Sequence, residues 1–253
     1  MGSISSLAFI EANTATAREA LAAGTVVETS HGHVKPSAPE HIEGVIFDLD
    51  GTLLDSMPWW DDLGERYLLA RGKTPEPNIR YHFKRLTMEG SARYMKSTYH
   101  LDESIEEICT GVMAGIETAY RDTIPLKPGA ADMLTALLST HVPVCVATAS
   151  ERYCVDAAFA RLGVSDYFKF VLTCSEVGAS KTRPLVFERA CELLGTPRAN
   201  TLVVEDSLHA IETAQAAGFP CAMVEEPASV ADAPAMEQLA CMRLKNFLAF
   251  THL

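Results

Sequence analysis

Asp48 and Asp50 stand one residue apart, directly after the apolar run Val45-Ile46-Phe47 and just before Gly51. Two carboxylates this close repel unless a cation or a shared proton relieves them. Magnesium suits such a pair, because it takes a few carboxylates and leaves positions for the oxygens of a substrate phosphate. A second acidic pair, Glu205-Asp206, follows another apolar run, and the hydroxyl of Thr148 follows a third. Lys181 adds a cation in a polar stretch. Each residue also has a plain structural reading. Asp48 and Asp50 fit a strand-end turn. Thr148 and Glu205-Asp206-Ser207 fit caps of the helices after them, and Lys181 fits a solvated loop.

The elements that would carry these residues alternate. Short apolar runs at 45–47, 142–147, 170–172, 201–204 and 221–224 read as buried strands. Between them, 130–138, 155–162, 185–194 and 211–217 read as helices, three of them stopped by Gly163, Gly195 and Gly218. Alternation of this kind implies an α/β fold with a parallel sheet and right-handed crossovers. Ligands bind such sheets at the carboxyl ends of the strands. Asp48, Asp50, Thr148, Glu205 and Asp206 all fall at those ends, so groups distant in sequence are expected to share one rim.

Residues from about 56 to 124 read as helical, with breaks at 72–77 and around 100–102. Ile105, Ile108, Val112, Met113 and Ile116 recur at helical spacing. Residues 1–42 differ from the rest. An Ala-rich stretch at 14–23 suits a short helix, and 24–39 reads as a linker. His31 and His33 lie there without nearby acidic or thiol partners, which favours exposed loop histidines over a metal site.

Four stretches together resemble the haloacid dehalogenase-like hydrolase superfamily, and more narrowly its branch of β-phosphoglucomutase and phosphoglycolate phosphatase. The first is Phe47-Asp48-Leu49-Asp50-Gly51-Thr52-Leu53-Leu54-Asp55-Ser56. The second is Val144-Cys145-Val146-Ala147-Thr148-Ala149-Ser150, and the third is Lys181-Thr182-Arg183-Pro184-Leu185-Val186-Phe187. The fourth is Val203-Val204-Glu205-Asp206-Ser207, followed by a helix ending in Ala216-Ala217-Gly218. They appear in the family's order over roughly residues 43–226. The resemblance implies a Rossmann-like core at 43–56 and 125–253, a helical cap inserted at 57–124, and an N-terminal extension at 1–42.

The resemblance also implies roles. Asp48 becomes the nucleophile that forms an aspartyl-phosphate, and Asp50 the general acid and then base. Thr148 and Ala149 contact the phosphoryl group, and Lys181 sets a fixed positive charge between nucleophile and phosphate. Asp48, the backbone carbonyl of Asp50, and Asp206 hold Mg2+, with Glu205 as a ligand or as a partner behind the ligands. The third stretch departs from the family pattern, with Thr182 where a proline is usual and Leu185 where an aspartate is usual. Ala210 stands where a glycine is usual, and His209 before it reads as structural or exposed.

The expected function is a Mg2+-dependent phosphatase of a small phosphorylated metabolite such as a sugar phosphate. A phosphosugar mutase of the β-phosphoglucomutase type shares every motif and is the alternative. A non-catalytic binding module on the same fold is the alternative of another class. The superfamily's dehalogenases and phosphonate hydrolases lack a counterpart of Asp50, which argues against both.

Residues 71–96 hold Arg71, Lys73, Arg80, Lys84, Arg85, Arg93 and Lys96 against only Glu76 and Glu89. They read as a basic face for an anionic substrate or as a solvated helix face. Trp59 and Trp60 suit either a substrate pocket or the cap's own core. With 253 residues, 48% hydrophobic, the chain is long enough for a sizeable core. Its net charge of −12 argues against a nucleic-acid partner held by a broad basic face. No apolar run reaches transmembrane length, so no membrane partner is expected. Seven cysteines without a CxxC pair fit reduced thiols in a cytoplasmic protein. Oligomeric state is left open.

Overall fold

The computed structural model describes residues 38–83 and 86–248. The stretch at 14–23, His31, His33, Lys84 and Arg85 lie outside the described residues. The first strand is β1 (Gly44–Phe47). Five helices follow: α1 (Met57–Asp61), α2 (Leu63–Leu69), α3 (Ile79–Phe83), α4 (Met88–Tyr99) and α5 (Ile105–Asp122). Then come α6 (Ala130–Ser139), β2 (Val144–Thr148), α7 (Arg152–Leu162), β3 (Val171–Thr173) and α8 (Cys174–Val177). The chain continues with α9 (Leu185–Leu194), β4 (Thr201–Glu205), α10 (Leu208–Ala216), β5 (Cys221–Val224), α11 (Ala233–Leu239) and β6 (Met242–Leu244).

The six strands form one sheet in the order β3-β2-β1-β4-β5-β6, and every described pairing is parallel. Parallel strands buried on both faces read as unbroken apolar runs, which is why 45–47 and 201–204 are visible in the sequence. Every residue of β1, β2 and β4 is buried. Ile46 pairs with Cys145 on one side and Val203 on the other, so the three share a face. They join Val186, Phe187 and Ala190 of α9 and Ile211 and Ala214 of α10 in one buried cluster. Ala210 is fully buried in the same cluster, so its methyl group is taken up as core packing, while His209 is exposed.

The expected strands at 142–147 and 201–204 shift toward the site. β2 ends on Thr148 and β4 on Glu205, so these polar residues are the last of their strands rather than the start of a turn. β6 was not expected from the sequence, which placed the last strand at 221–224. Its three residues take strand form by pairing with β5, from Ala222 with Met242 to Val224 with Leu244.

The described residues divide into two compact units, one made of Ser56–Ile124 and the other of the remainder. Within Ser56–Ile124, α5 opens with a capping box between Ser104 and Glu107. It buries Ile108, Val112, Ile116, Ala119 and Tyr120, whereas Ile105 and Met113 are half-buried. Trp60 Nε1 donates to the Tyr120 hydroxyl at 3.2 Å, and the two rings meet edge to face. Its basic residues are largely used internally. Arg71 pairs with Glu103 at 2.5 Å and lies 3.4 Å from the Tyr67 ring centroid. Arg93 pairs with Glu89, and Arg80 lies 3.7 Å from Asp62. Lys96 donates to the carbonyls of Leu101, Asp102 and Glu103. All seven cysteines are free and five are buried. Among the described residues, no helix is long and apolar enough to cross a membrane.

Candidate active site

The pairing of β1 between β2 and β4 brings three strand tips side by side. Asp48 leaves the tip of β1, and its N–H still donates to Val204 of β4 at 2.9 Å. Glu205 is the last residue of β4 and Asp206 follows it. Carboxylate oxygens of Asp48, Glu205 and Asp206 all lie within 4.8 Å of one another, and all three residues are buried. Lys181, 5% exposed, reaches into this cluster from the loop between α8 and α9. Its Nζ donates to Asp48 Oδ1 and, at 2.8 Å, to Glu205 Oε1. The other Glu205 oxygen accepts from the N–H groups of Asp206 and Ser207 and from the Ser207 hydroxyl, at 2.8 to 2.9 Å. Glu205 is thus saturated with donors. It anchors Lys181 on one side and the loop carrying Asp206 on the other.

The loop after β1 folds back on itself. Leu53 and Leu54 donate to the Leu49 carbonyl, and Gly51 donates to Leu54. Gly51 has φ +82, and a Cβ there would lie 2.4 Å from Asp206 Oδ2, so only glycine lets the loop approach this carboxylate. Thr52, fully buried, donates its hydroxyl to Asp206 Oδ1 at 3.1 Å. Asp50 is half-buried, and its Oδ2 accepts from the Ser150 hydroxyl at 2.5 Å. Thr148 is fully buried, and its Oγ1 accepts from the Ser150 N–H at 3.0 Å. Ala149, between them, is exposed.

Four of the residues singled out in the sequence, Asp48, Lys181, Glu205 and Asp206, therefore form one buried charge cluster. Asp50 and Thr148 are linked to each other through Ser150. Thr52, Ser150 and Ser207 carry contacts to these carboxylates that sequence reasoning missed. All three lie inside the stretches that resemble the family, but no role was assigned to their side chains.

The electrostatics follow from one ammonium facing three carboxylates. Burial raises the Asp48 carboxyl from 3.8 to about 7, opposed by the Lys181 charge and assisted by Glu205 and Asp50. Burial also raises Asp206, to about 9, with the charges of Asp48 and Glu205 adding to it. Burial pulls the Lys181 ammonium down, but Asp48 and Glu205 outweigh it and hold the group above the usual lysine range. A cluster of hard oxygen donors with unbalanced negative charge suits a divalent cation of the Mg2+ type.

Comparison with known proteins identifies the family. The family model of the haloacid dehalogenase-like hydrolases matches residues 42–218. A phosphoglycolate phosphatase of Neisseria gonorrhoeae is 30% identical over 189 residues, covering 72% of this chain and 79% of that protein. A Drosophila melanogaster protein provisionally named a pseudouridine-5'-phosphatase is 31% identical over 188 residues, covering 72% and 81%. Among solved structures, a Thermotoga maritima protein provisionally described as a β-phosphoglucomutase superposes with a TM-score of 0.74 at 20% identity. It covers 83% of this chain and 98% of its own, and shares the fold. The chain belongs to the haloacid dehalogenase-like hydrolase family and is a phosphoric monoester hydrolase.

Proposed function

We propose that this protein is a Mg2+-dependent phosphatase of a small phosphorylated metabolite, working through an aspartyl-phosphate on Asp48. The observation that carries this reading is the buried contact of Lys181 with Asp48 and Glu205 beside Asp206. In it, a carboxylate oxygen of Asp48 attacks phosphorus while the bond to the leaving oxygen breaks, and Asp50 gives that oxygen its proton. A water then attacks the phosphoryl group on Asp48, Asp50 takes the proton, and phosphate leaves.

Lys181 supplies a fixed positive charge next to the nucleophile, and the low-dielectric surroundings strengthen it. Thr148 and Ala149 are the residues assigned to the phosphoryl oxygens. Asp48, Asp206 and the Asp50 carbonyl are assigned to Mg2+, with Glu205 behind them. When bound, the ion offsets the charge of the phosphoryl oxygens. Residues 57–124 are the helical cap in this reading, and the cytoplasm is its place, as five buried, unbridged thiols support.

The relatives named for phosphoglycolate and pseudouridine 5'-phosphate support a small phosphomonoester as substrate. The test is a panel of phosphorylated metabolites with Mg2+, read for both phosphate release and isomer formation, with Asp48→Asn run in parallel. Phosphate release by wild type and none by the variant is expected. Equal release by both would overturn the assignment of the nucleophile. Isomer formation without phosphate release would make the protein a mutase.

A further inference from the structure

Two stretches of chain, one leaving for the insert of residues 56–124 and one returning from it, are fastened together beside Asp50. Lys127 donates its N–H to the Leu53 carbonyl at 2.8 Å, and Asp55 donates to Pro125 at 3.0 Å. Leu54 and Leu126 form an antiparallel bridge between these bonds. The same leucines close the loop that holds Asp50, through Leu53 and Leu54 to the Leu49 carbonyl and Gly51 to the Leu54 carbonyl. The place of Asp50 is thus coupled to the place of the returning stretch.

That stretch is in turn tied to the sheet by a charge pair. Lys127 Nζ meets Glu226 Oε2 at 2.6 Å, with side-chain exposures of only 11% and 4%. It also donates to the Glu225 carbonyl at 3.2 Å, directly past the end of β5. The other Glu226 oxygen accepts from the Ala228 N–H at 3.2 Å. A pair this buried costs desolvation of both ions, and an apolar pair of similar volume often stabilises a fold as well or better. Its distinctive property is a fixed geometry, set here between the β5 tip and the ribbon that closes the Asp50 loop.

We propose that Lys127, held by Glu226, is a positioning residue for Asp50. This rests on the phosphatase reading, in which Asp50 delivers a proton to the leaving oxygen. The Ser150 hydroxyl sets the direction of the Asp50 carboxylate from β2, and Lys127 sets the depth of its backbone from β5. Loosening the second tie displaces the loop that carries Asp50, whereas Lys181 and Glu205 keep their own contacts with Asp48 and with the loop after β4.

The test compares first-turnover rates with p-nitrophenyl phosphate and phenyl phosphate, which differ only by the nitro group, in the full chain with Mg2+. p-Nitrophenolate leaves without a proton, whereas phenolate leaves far better when protonated. General acid catalysis contributes roughly 10²–10⁴ in rate, so a displaced acid costs about tenfold or more with phenyl phosphate and little with p-nitrophenyl phosphate. Lys127→Met and Glu226→Gln are expected to show that split, and Lys127→Arg to behave as wild type. Glu226→Gln preserves shape, so the test survives if Lys127→Met does not fold. Equal loss with both substrates, or no loss with either, would overturn the proposal. A wild type without activity, or an Asp48→Asn variant as active as wild type, would instead overturn the phosphatase reading.

Discussion

Replacing Lys181 with methionine removes the one ammonium that faces three carboxylates and keeps most of the side-chain volume. Lys181 is 5% exposed and bridges Asp48 and Glu205. At an effective dielectric of about 20, opposite unit charges about 4 Å apart attract by roughly 4 kcal/mol. Deleting one partner of a buried pair costs about 3–5 kcal/mol in measured systems, the same order. The Mg2+-free variant is therefore expected to lose about 3–5 kcal/mol of stability above neutral pH. The loss should shrink in mild acid, because Asp48 and Asp206 already carry raised values and protonation then relieves the missing charge. Turnover with Mg2+ should fall about 10²- to 10³-fold, the usual effect of removing one preorganised electrostatic partner. Urea unfolding in EDTA at about pH 5.5 and pH 8, with phosphate release measured separately, checks both parts. A stability loss equal at the two pH values, or turnover within about threefold of wild type, would refute the charge argument.

Four further outcomes are expected. Burial raises Asp48 and Asp206 in the folded Mg2+-free protein from 3.8 to about 7 and about 9, so the folded state binds protons more tightly than the unfolded chain. Stability without Mg2+ should therefore fall as pH rises from about 4 through neutrality, and Mg2+ binding should release protons and tighten with pH, as calorimetry in two buffers would reveal. Thr52→Val removes the hydroxyl that orients Asp206, and should weaken Mg2+ binding about 10- to 100-fold with the urea midpoint nearly unchanged. Gly51→Ala places a methyl group 2.4 Å from Asp206 Oδ2 at a positive φ. It should cost about 1–3 kcal/mol in urea unfolding and abolish most phosphate release. Phe187→Ala empties a buried site in the α9 cluster, and should cost about 3–5 kcal/mol, with activity retained in the fraction that stays folded.

The fold was legible where local chemistry and tertiary environment agree. β1 and β4 are buried on both faces, so Val45-Ile46-Phe47 and Leu202-Val203-Val204 are apolar, and a short unbroken run identifies each strand. The helix over 185–194 was visible in full because an apolar face at helical spacing ends at Gly195. β6 was not legible. Its three residues, Met242, Arg243 and Leu244, carry no alternation long enough to read, and they become a strand only by pairing with β5. Among the cations at 71–96, the sequence offered charge without partners. Lys96 spends its three donors on the carbonyls of residues 101–103, which a count of charges cannot reveal.

The candidate site divides in the same way. Residue type and position after an apolar run marked Asp48, Asp50, Glu205 and Asp206 as candidates, but each also fitted a strand-end turn or a helix cap, and only the resemblance of four stretches in order to one family gave them roles. The helpers were not accessible from chain order. Ser150 meets Asp50 across 100 residues and Thr52 meets Asp206 across 154. Sequence by itself determined which chemical groups are available and that an α/β sheet would gather them at one rim. Only the tertiary structure decided that Lys181 sits between Asp48 and Glu205, that Glu205 is saturated by its own loop, and that Lys127 is locked to Glu226. Hydrogen bonds and buried charges act over a few ångströms, and that distance is set by packing rather than by order along the chain.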